Sequence, residues 1–496
     1  MDWLCDALDR TTQEMTSMNG TVPPKINAPV WNGSEMSRRK FLSKTAALTA
    51  FTIVPRHVLG GPGQVAPSGK TTLACIGVGG QGTINLMNFL DFNEVQVAAV
   101  CDVDRESAGF LSWNWGQGKE GKTGGREPAR RVVDEFYGKQ RPSGQYRGCK
   151  AYADYRELLV KEDVDAVMIA TPDHTHAVIT MAALKKKKHV YCEKPLTWSV
   201  AEARAVAEEA KRAGVATQLG NQGQATEQDR VTREMIMDGA IGPVHEVQVG
   251  WGPRFWSYPA LQERPTDTPP VPEGLDWNLW LGPAPVRPYH PLYHPWVWRN
   301  WWEFGTGLLG DMGCHLLSTV FKALDLRHPT SVEASSTKMF PEVYPLGVIA
   351  RFQFPARGDR PPVKLSWYDG GLLPPSPEET PSERRSYGVM YVGEKGKIFG
   401  HRLYPESKQK AYGKPPKTLP RSPGHYKEFV DACRGGPAPG ANFIDHAGVL
   451  SETPLLANVA LRAGKKLLWD GPAMKVTNDK EANKLLHREY RQGWSL

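Results

Sequence analysis

The chain has no run of about 20 consecutive apolar residues, the length a permanent bilayer helix needs, so no stable membrane span is expected. None of its seven cysteines stands in a Cys-x-x-Cys pair, which argues against a metal cluster. Cys75, Cys101, Cys192 and Cys314 fall inside apolar strand or helix patterns, where a free thiol behaves as a small buried hydrophobe, and no disulfide framework is expected. No internal repeat is visible, so nothing supports a stacked-repeat architecture. Charge is not lopsided either: 61 basic residues face 53 acidic ones, for a net +8. Part of that excess sits near the N-terminus and in Lys185 to Lys188, a run that closes an apolar helix pattern and reads as a solvated helix terminus. Nucleic-acid binding does not follow from it.

What is present is an ordinary globular composition, 40% hydrophobic and 23% charged, on 496 residues, about three typical domain lengths. At least two cores are therefore expected. Ser37-Arg38-Arg39-Lys40-Phe41-Leu42 precedes an uncharged stretch from Thr45 to Val54 and then Pro55, the arrangement of a twin-arginine signal. The sequence thus predicts engagement with the twin-arginine export machinery and a periplasmic destination. The 36 residues ahead of Ser37 are long for the basic head of a signal, so Met36 is the expected start, and no small-x-small cleavage site stands out. Residues 1–69 are assigned to leader and linker.

Thr71 to Ile76 is an apolar β run leading into Gly77-Val78-Gly79-Gly80-Gln81-Gly82, after which Ile84, Leu86, Met87 and Leu90 resume helical spacing. Between a strand and a helix this pattern predicts a dinucleotide turn: Gly77 for the sharp bend, Gly79 for approach of the pyrophosphate, Gly82 for helix–strand packing, with the phosphates on the helix N-terminus. The second strand, Val95 to Val100, ends in Cys101-Asp102, twenty positions beyond Gly82. A carboxylate there accepts from the adenosine ribose and repels a 2′-phosphate, so NAD is favoured over NADP. Further β runs follow at Val164 to Ile169, His189 to Cys192 and Val215 to Leu219, separated by helix-period segments, which implies a doubly wound parallel α/β sheet over 70–222. Gly116 to Gly125, with Trp113 and Trp115 nearby, reads as an insertion or loop of unassigned role.

Four segments taken together, the Gly77 to Gly82 turn, Thr171-Pro172-Asp173-His174-Thr175-His176, Glu193-Lys194-Pro195, and Gly307 to His315, resemble the Gfo/Idh/MocA family of glucose-fructose oxidoreductases and inositol dehydrogenases. The resemblance covers roughly residues 70 to 470. It implies an NAD-binding Rossmann domain followed by an α+β domain with a mixed, largely antiparallel sheet, and a homo-oligomer. It assigns catalysis to a lysine, an aspartate and a histidine, here Lys194, Asp311 and His315. Gly77, Gly79, Gly80, Gln81, Gly82, Asp102, Thr171, Pro172, His176, Glu193, Lys194 and Asn221 are placed beside the cofactor.

The residues carry a reading of their own. Lys194 falls at the carboxyl end of a parallel strand, where open α/β sheets bind ligands, and an ammonium there can stabilise charge developing on a hydroxyl oxygen. Asp311 and His315 are four apart on an apparent helix from Leu308 to Leu324 and so share a face. An imidazole is suited to take a hydroxyl proton while the carboxylate orients the site. Alternatively Asp311 is a helix cap and His315 a packed residue. No third ligand accompanies them, so no metal is expected.

Upstream, Trp277, Trp280, Tyr289, Tyr293, Trp296, Trp298, Trp301 and Trp302 alternate with His290, His294, Arg299 and Asn300. Rings with polar donors suit a carbohydrate, and equally a core loop packed with tryptophan. Trp298, Arg299, Trp302 and His315 are the substrate-binding candidates. From Gln224 onward antiparallel-looking β runs predict a substrate domain over 223–470, with a helix from His446 to Leu468 packing on the body. Residues 471–496 form a tail without an assigned role.

The resulting expectation is hydride transfer between nicotinamide and a secondary hydroxyl of a sugar, glycoside or cyclitol. An exported enzyme meets no free NAD pool, so the cofactor is expected to be held tightly. Two alternatives stand beside it: a redox-neutral glycosidase or lyase acting through transient oxidation, and an inactive sugar-binding protein on the same fold.

Overall fold

The computed structural model describes residues 69–111, 121–252, 261–375 and 388–496. The twin-arginine stretch, Trp113, Trp115 and the first half of the glycine- and lysine-rich piece lie outside the described residues, and its second half contains the strand Lys122–Gly124 rather than a loop throughout. Strand β1 (Thr71–Ile76) runs into helix α1 (Gly80–Leu90) and the chain returns as β2 (Val95–Cys101). A small antiparallel hairpin follows, β3 (Ser107–Phe110) with β4 (Lys122–Gly124). Alternation then resumes through α2 (Arg126–Lys139), β5 (Lys150–Tyr152), α3 (Tyr155–Lys161), β6 (Ala166–Ile169), α4 (Asp173–Lys185), β7 (His189–Cys192), α5 (Val200–Ala213) and β8 (Thr217–Leu219).

The strands lie in the order β5-β2-β1-β6-β7-β8, and every pairing is parallel. Helices cover both faces, which is why β6 can be apolar and buried at every position rather than alternating. Helix α5 begins at a reciprocal capping box between Ser199 and Glu202 and ends at Gly214 in the left-handed conformation. Lys186 to Lys188 follow α4 as the solvated helix end the sequence predicts.

The second half contains α6 (Glu227–Met237), β9 (Val244–Gly250), the short α7 (Trp277–Leu281), α8 (Gly307–Leu324), β10 (Ser331–Ser336), β11 (Val348–Phe354), β12 (Val363–Tyr368), β13 (Gly388–Gly393), β14 (Gly396–Phe399) and β15 (Arg402–Tyr404). It continues through α9 (Glu406–Tyr412), α10 (His425–Cys433), α11 (Gly448–Ala463), β16 (Leu467–Asp470) and β17 (Lys475–Val476). The nine-stranded order is β15-β14-β13-β9-β12-β11-β10-β16-β17. The sheet is mixed because β9 pairs parallel with β12 while its other pairings are antiparallel. Helix α10 returns to the first sheet, where Phe429 and Val430 join its core.

The helix expected across 446–468 is shorter and differently built. A π turn occupies Phe443–Ala447, α11 stops where Gly464 turns left-handed, and the alternating burial of Leu467–Asp470 makes that segment a strand against β10. The tail begins inside the sheet as β17 and then crosses to the Rossmann half. Among the described residues all six cysteines are free, no cluster has metal-ligand composition, and no helix is long and apolar enough to cross a membrane.

Candidate active site

A cleft of about 1130 Å³, counted to its open mouth, runs along the carboxyl edge of the parallel sheet. Its floor is the turn after β1. Gly77 has φ +79°, and a Cβ there would lie 2.6 Å from the Thr171 nitrogen. A Cβ on Gly82 would lie 1.8 Å from the Gly77 oxygen, so α1 packs on β1 only without a side chain, as the sequence predicts. Gly79 departs from that prediction: the space its missing side chain frees is taken by the Phe110 ring, 2.3 Å from a Cβ there, and Gly80 is approached likewise by the Leu111 carbonyl. The β3–β4 hairpin therefore roofs the turn. Gln81 is turned along α1 to Asn85, Nε2 to Oδ1 2.9 Å.

Asp102 closes β2 beside this turn and lines the cleft. Its carboxylate accepts from the backbone N–H of Val78 at 2.8 Å and of Asp104 at 2.9 Å. Burial nevertheless pushes its pKa up to about 6. On the cleft wall, Thr171 Oγ1 is buried without a hydrogen-bond partner among the described residues. The left-handed glycine bend, the acid at the second strand end and this orphaned hydroxyl fit a dinucleotide laid along the edge.

Further along, loops after β6 and β7 meet α8. The two ring nitrogens of His176 lie 2.7 Å from the Pro195 carbonyl and 2.8 Å from that of Thr171, so this buried imidazole ties the loops together. Glu193 accepts from Asn85 Nδ2 at 2.9 Å and Gln222 Nε2 at 3.2 Å, and burial raises its pKa above the ordinary carboxyl value. The Lys194 ammonium is ion-paired with Asp311. Burial alone would weaken that ammonium, but Asp311 and Glu193 outweigh it and hold its affinity for the proton above the ordinary lysine value. For Asp311 burial likewise opposes the charge, and Lys194 followed by Arg299 overcomes it, leaving the carboxyl below its usual range. Arg299 Nε is 3.6 Å from Asp311, and its guanidinium is stacked between Trp296 and Trp298 at 3.9 and 4.1 Å from the ring centres.

His315 lies one turn beyond Asp311 on α8, partly exposed, with no hydrogen bond to the described residues. Burial of its ring and then the nearby Lys194 charge depress it to about 3, so the imidazole is neutral near pH 7. Asp173, the first residue of α4, accepts from Thr306 N at 3.0 Å and Thr306 Oγ1 at 2.7 Å. Burial raises it to about 7.

Lys194, Asp311, Arg299, Trp298, Thr171, Pro172, His176 and Glu193 thus border one cleft with Gly77, Gly79, Gly80, Gln81 and Asp102. Three expected site residues do not border it: His315 and Gly82 lie outside its lining, and the Trp302 ring packs on Tyr344 in the interior, 5.2 Å between centres. Asn221 also lies behind the cleft wall, donating to Ser318 Oγ at 3.0 Å. The ring-rich stretch serves both purposes its composition allows. Trp277, Tyr293 and Trp301 pack with Phe304 in a separate core, while Trp280, Trp296 and Trp298 reach the cleft. Sequence reasoning gave no role to Asp173, Phe110, Tyr155 or Trp494, all of which border the cleft. Asp173 follows a proline at a helix start, a recognisable position for an acid; nothing local marks the others.

A model of an oxidoreductase family with an NAD-binding Rossmann fold matches residues 125–221, and one of the C-terminal alpha/beta domain of an oxidoreductase family matches residues 226–346. Myo-inositol 2-dehydrogenase of Thermotoga maritima is 28% identical over 177 residues, 36% of this chain and 44% of that protein. A glycosyl hydrolase family 109 protein of Shewanella pealeana is 28% identical over 200 residues, 36% of this chain and 38% of its own length. The chain thus spans less than half the length of these curated relatives. The WlbA dehydrogenase of Bordetella pertussis, solved in complex with NADH and UDP-GlcNAcA, superposes with a TM-score of 0.53 at 15% identity, covering 81% of this chain and 99% of that one. At that identity the likeness speaks for the fold alone.

Proposed function

The chain belongs to the Gfo/Idh/MocA oxidoreductase family, with its NAD-binding Rossmann fold, and from this premise we propose that it oxidises a secondary hydroxyl of a sugar, glycoside or cyclitol while keeping its NAD tightly bound. The observation that carries the reading is the Lys194–Asp311 pair, backed by Arg299, in the same cleft as the glycine turn and Asp102. When bound, NAD supplies the hydride acceptor. Lys194, held protonated, donates to the carbinol oxygen and meets the negative charge that gathers there as the C–H bond breaks. Asp311 fixes the ammonium, and Lys194, then Arg299, keep Asp311 ionised. His315, neutral and without a hydrogen bond among the described residues, stands one turn along α8 from Asp311, outside the cleft lining, and is assigned the hydroxyl proton on that nearness. Indoles on either side of Arg299 offer faces for sugar C–H groups. Export through the twin-arginine route to the periplasm, and tight retention of cofactor there, belong to the same proposal.

A redox-neutral cleavage of glycosides is the second reading, favoured by the stretch shared with the glycosyl hydrolase family 109 protein. The test is to denature the purified protein, identify the released nucleotide, and incubate native protein with glycosides while following NADH absorbance and free aglycone. Bound NAD and a stable reduced signal are expected. Aglycone without NADH transfers the conclusion to the second reading, and absence of any nucleotide binding overturns both.

A further inference from the structure

The segment after β17 is anchored by several independent contacts, some to the Rossmann half and some to the short α7 of the second half. The Arg488 guanidinium lies 4.4 Å from the Trp198 ring centre and donates to the His174 carbonyl at 3.1 Å. Tyr490 donates its hydroxyl to Glu202 Oε1 at 2.8 Å. Arg491 donates to the Gly282 carbonyl and to the Asn278 carbonyl, each at 2.6 Å, and to Asn278 Oδ1 at 2.7 Å. These bonds involve planar donors on fixed carbonyls, so the backbone of the segment is held rather than draped. They deliver one side chain to the cleft, Trp494. Its indole sits 4.8 Å from the Arg156 guanidinium and 5.9 Å from that of Arg491, with the Tyr155 ring centre 6.3 Å away. The stretch of cleft it borders also includes Asp102, Ala153 and Asp154, away from Lys194 and Asp311 at the other end of the parallel edge.

An acid at the end of the second strand faces a ribose in a Rossmann site, and what lies past that ribose is a flat purine. We infer that Trp494 is a wall of the adenine pocket and that residues 487–496 are a strap retaining the adenosine half of a dinucleotide. This deepens the proposed function and rests on the reading of the cleft as an NAD site. An indole face against a base is worth about tenfold or more in affinity and requires no particular hydrogen-bond pattern. The two guanidinium groups keep the indole in place whether or not a base is there.

The experiment compares the wild-type protein with Trp494→Ala and Trp494→Phe. NADH release is timed by rapid mixing with excess NAD, and AMP and nicotinamide mononucleotide are titrated separately. Trp494→Ala is expected to release NADH at least tenfold faster and to bind AMP about tenfold more weakly, with nicotinamide mononucleotide within about twofold of wild type. Trp494→Phe is expected to recover most of the loss. Unchanged NADH release and AMP affinity in Trp494→Ala, while the wild type binds NADH, overturn the strap and leave the NAD reading intact. Equal weakening of both half-ligands overturns it too, because that is general damage. A wild-type protein that binds no nucleotide brings down the NAD reading itself.

Discussion

At one end of the cleft Lys194, Asp311 and Arg299 form a charged group held by opposite charge and by stacked indoles. At the other, Asp102 is surrounded by backbone donors and rings, and the closing residue, Trp494, arrives from a distant part of the chain. Charge at the first end is expensive to bury and must be balanced group by group. The second end is assembled mainly by shape. Loss of one residue should therefore be felt as a rate at the first end and as residence of a ligand at the second.

The largest effect is expected for Lys194→Met, which takes away the ammonium that faces Asp311. Steady-state kinetics should give kcat/KM lower by about a thousandfold, with nucleotide content unchanged. Retention of a tenth of the activity would remove Lys194 from the chemistry and erase the contrast between the two ends.

An intermediate effect concerns Asp173. Its folded pKa, about 7, lies above the ordinary carboxyl value, so the folded state holds this proton more firmly than the unfolded chain does. The stabilisation is complete below the unfolded value near 4 and fades as pH rises through 7. Asp102, at about 6, and Asp369, at about 7, act in the same direction. Melting curves of Asp173→Asn should thus match wild type only below about pH 4 and lie increasingly above it up to pH 8, by an amount on the order of a few kcal/mol. A wild-type advantage that grows with pH contradicts the assignment.

The smallest effect is expected at Trp302, named from sequence with Trp298 but packed on Tyr344. Trp302→Phe should leave KM for any accepted sugar within about threefold, measured beside Trp298→Ala, which should raise it further. Reversal of that order would mean that the substrate reaches beyond the cleft.

How much of this was legible beforehand follows the range of each interaction. The strands Thr71–Ile76 and His189–Cys192 and the substrate-half strands Val244–Gly250 and Val363–Tyr368 were readable because apolar runs and turn residues are local signals. The juxtaposition of Lys194 with Asp311 was available only through resemblance, since a loop after one strand and a helix over a hundred residues later share no local pattern. Phe110 over Gly79 and Trp494 beside Asp102 had no signal at all. The helix predicted through Leu468 failed because Gly464 ends it and the alternating burial of the next four residues is a strand period, which a window centred on the helix averages away.

The pairing of β9 carries a consequence for how the molecule assembles. Each strand of the parallel sheet can dock soon after it is made, but β9 ends at Gly250 and neither of its neighbours begins before Val363. Until that later stretch exists, both hydrogen-bonding edges of β9 are bare. Long-range pairing of this kind is slow and leaves an adhesive intermediate. The substrate half is therefore the part more open to mispairing during synthesis, while the nucleotide half has its parallel sheet in place and awaits only Phe429 and Val430 of α10 to complete its core.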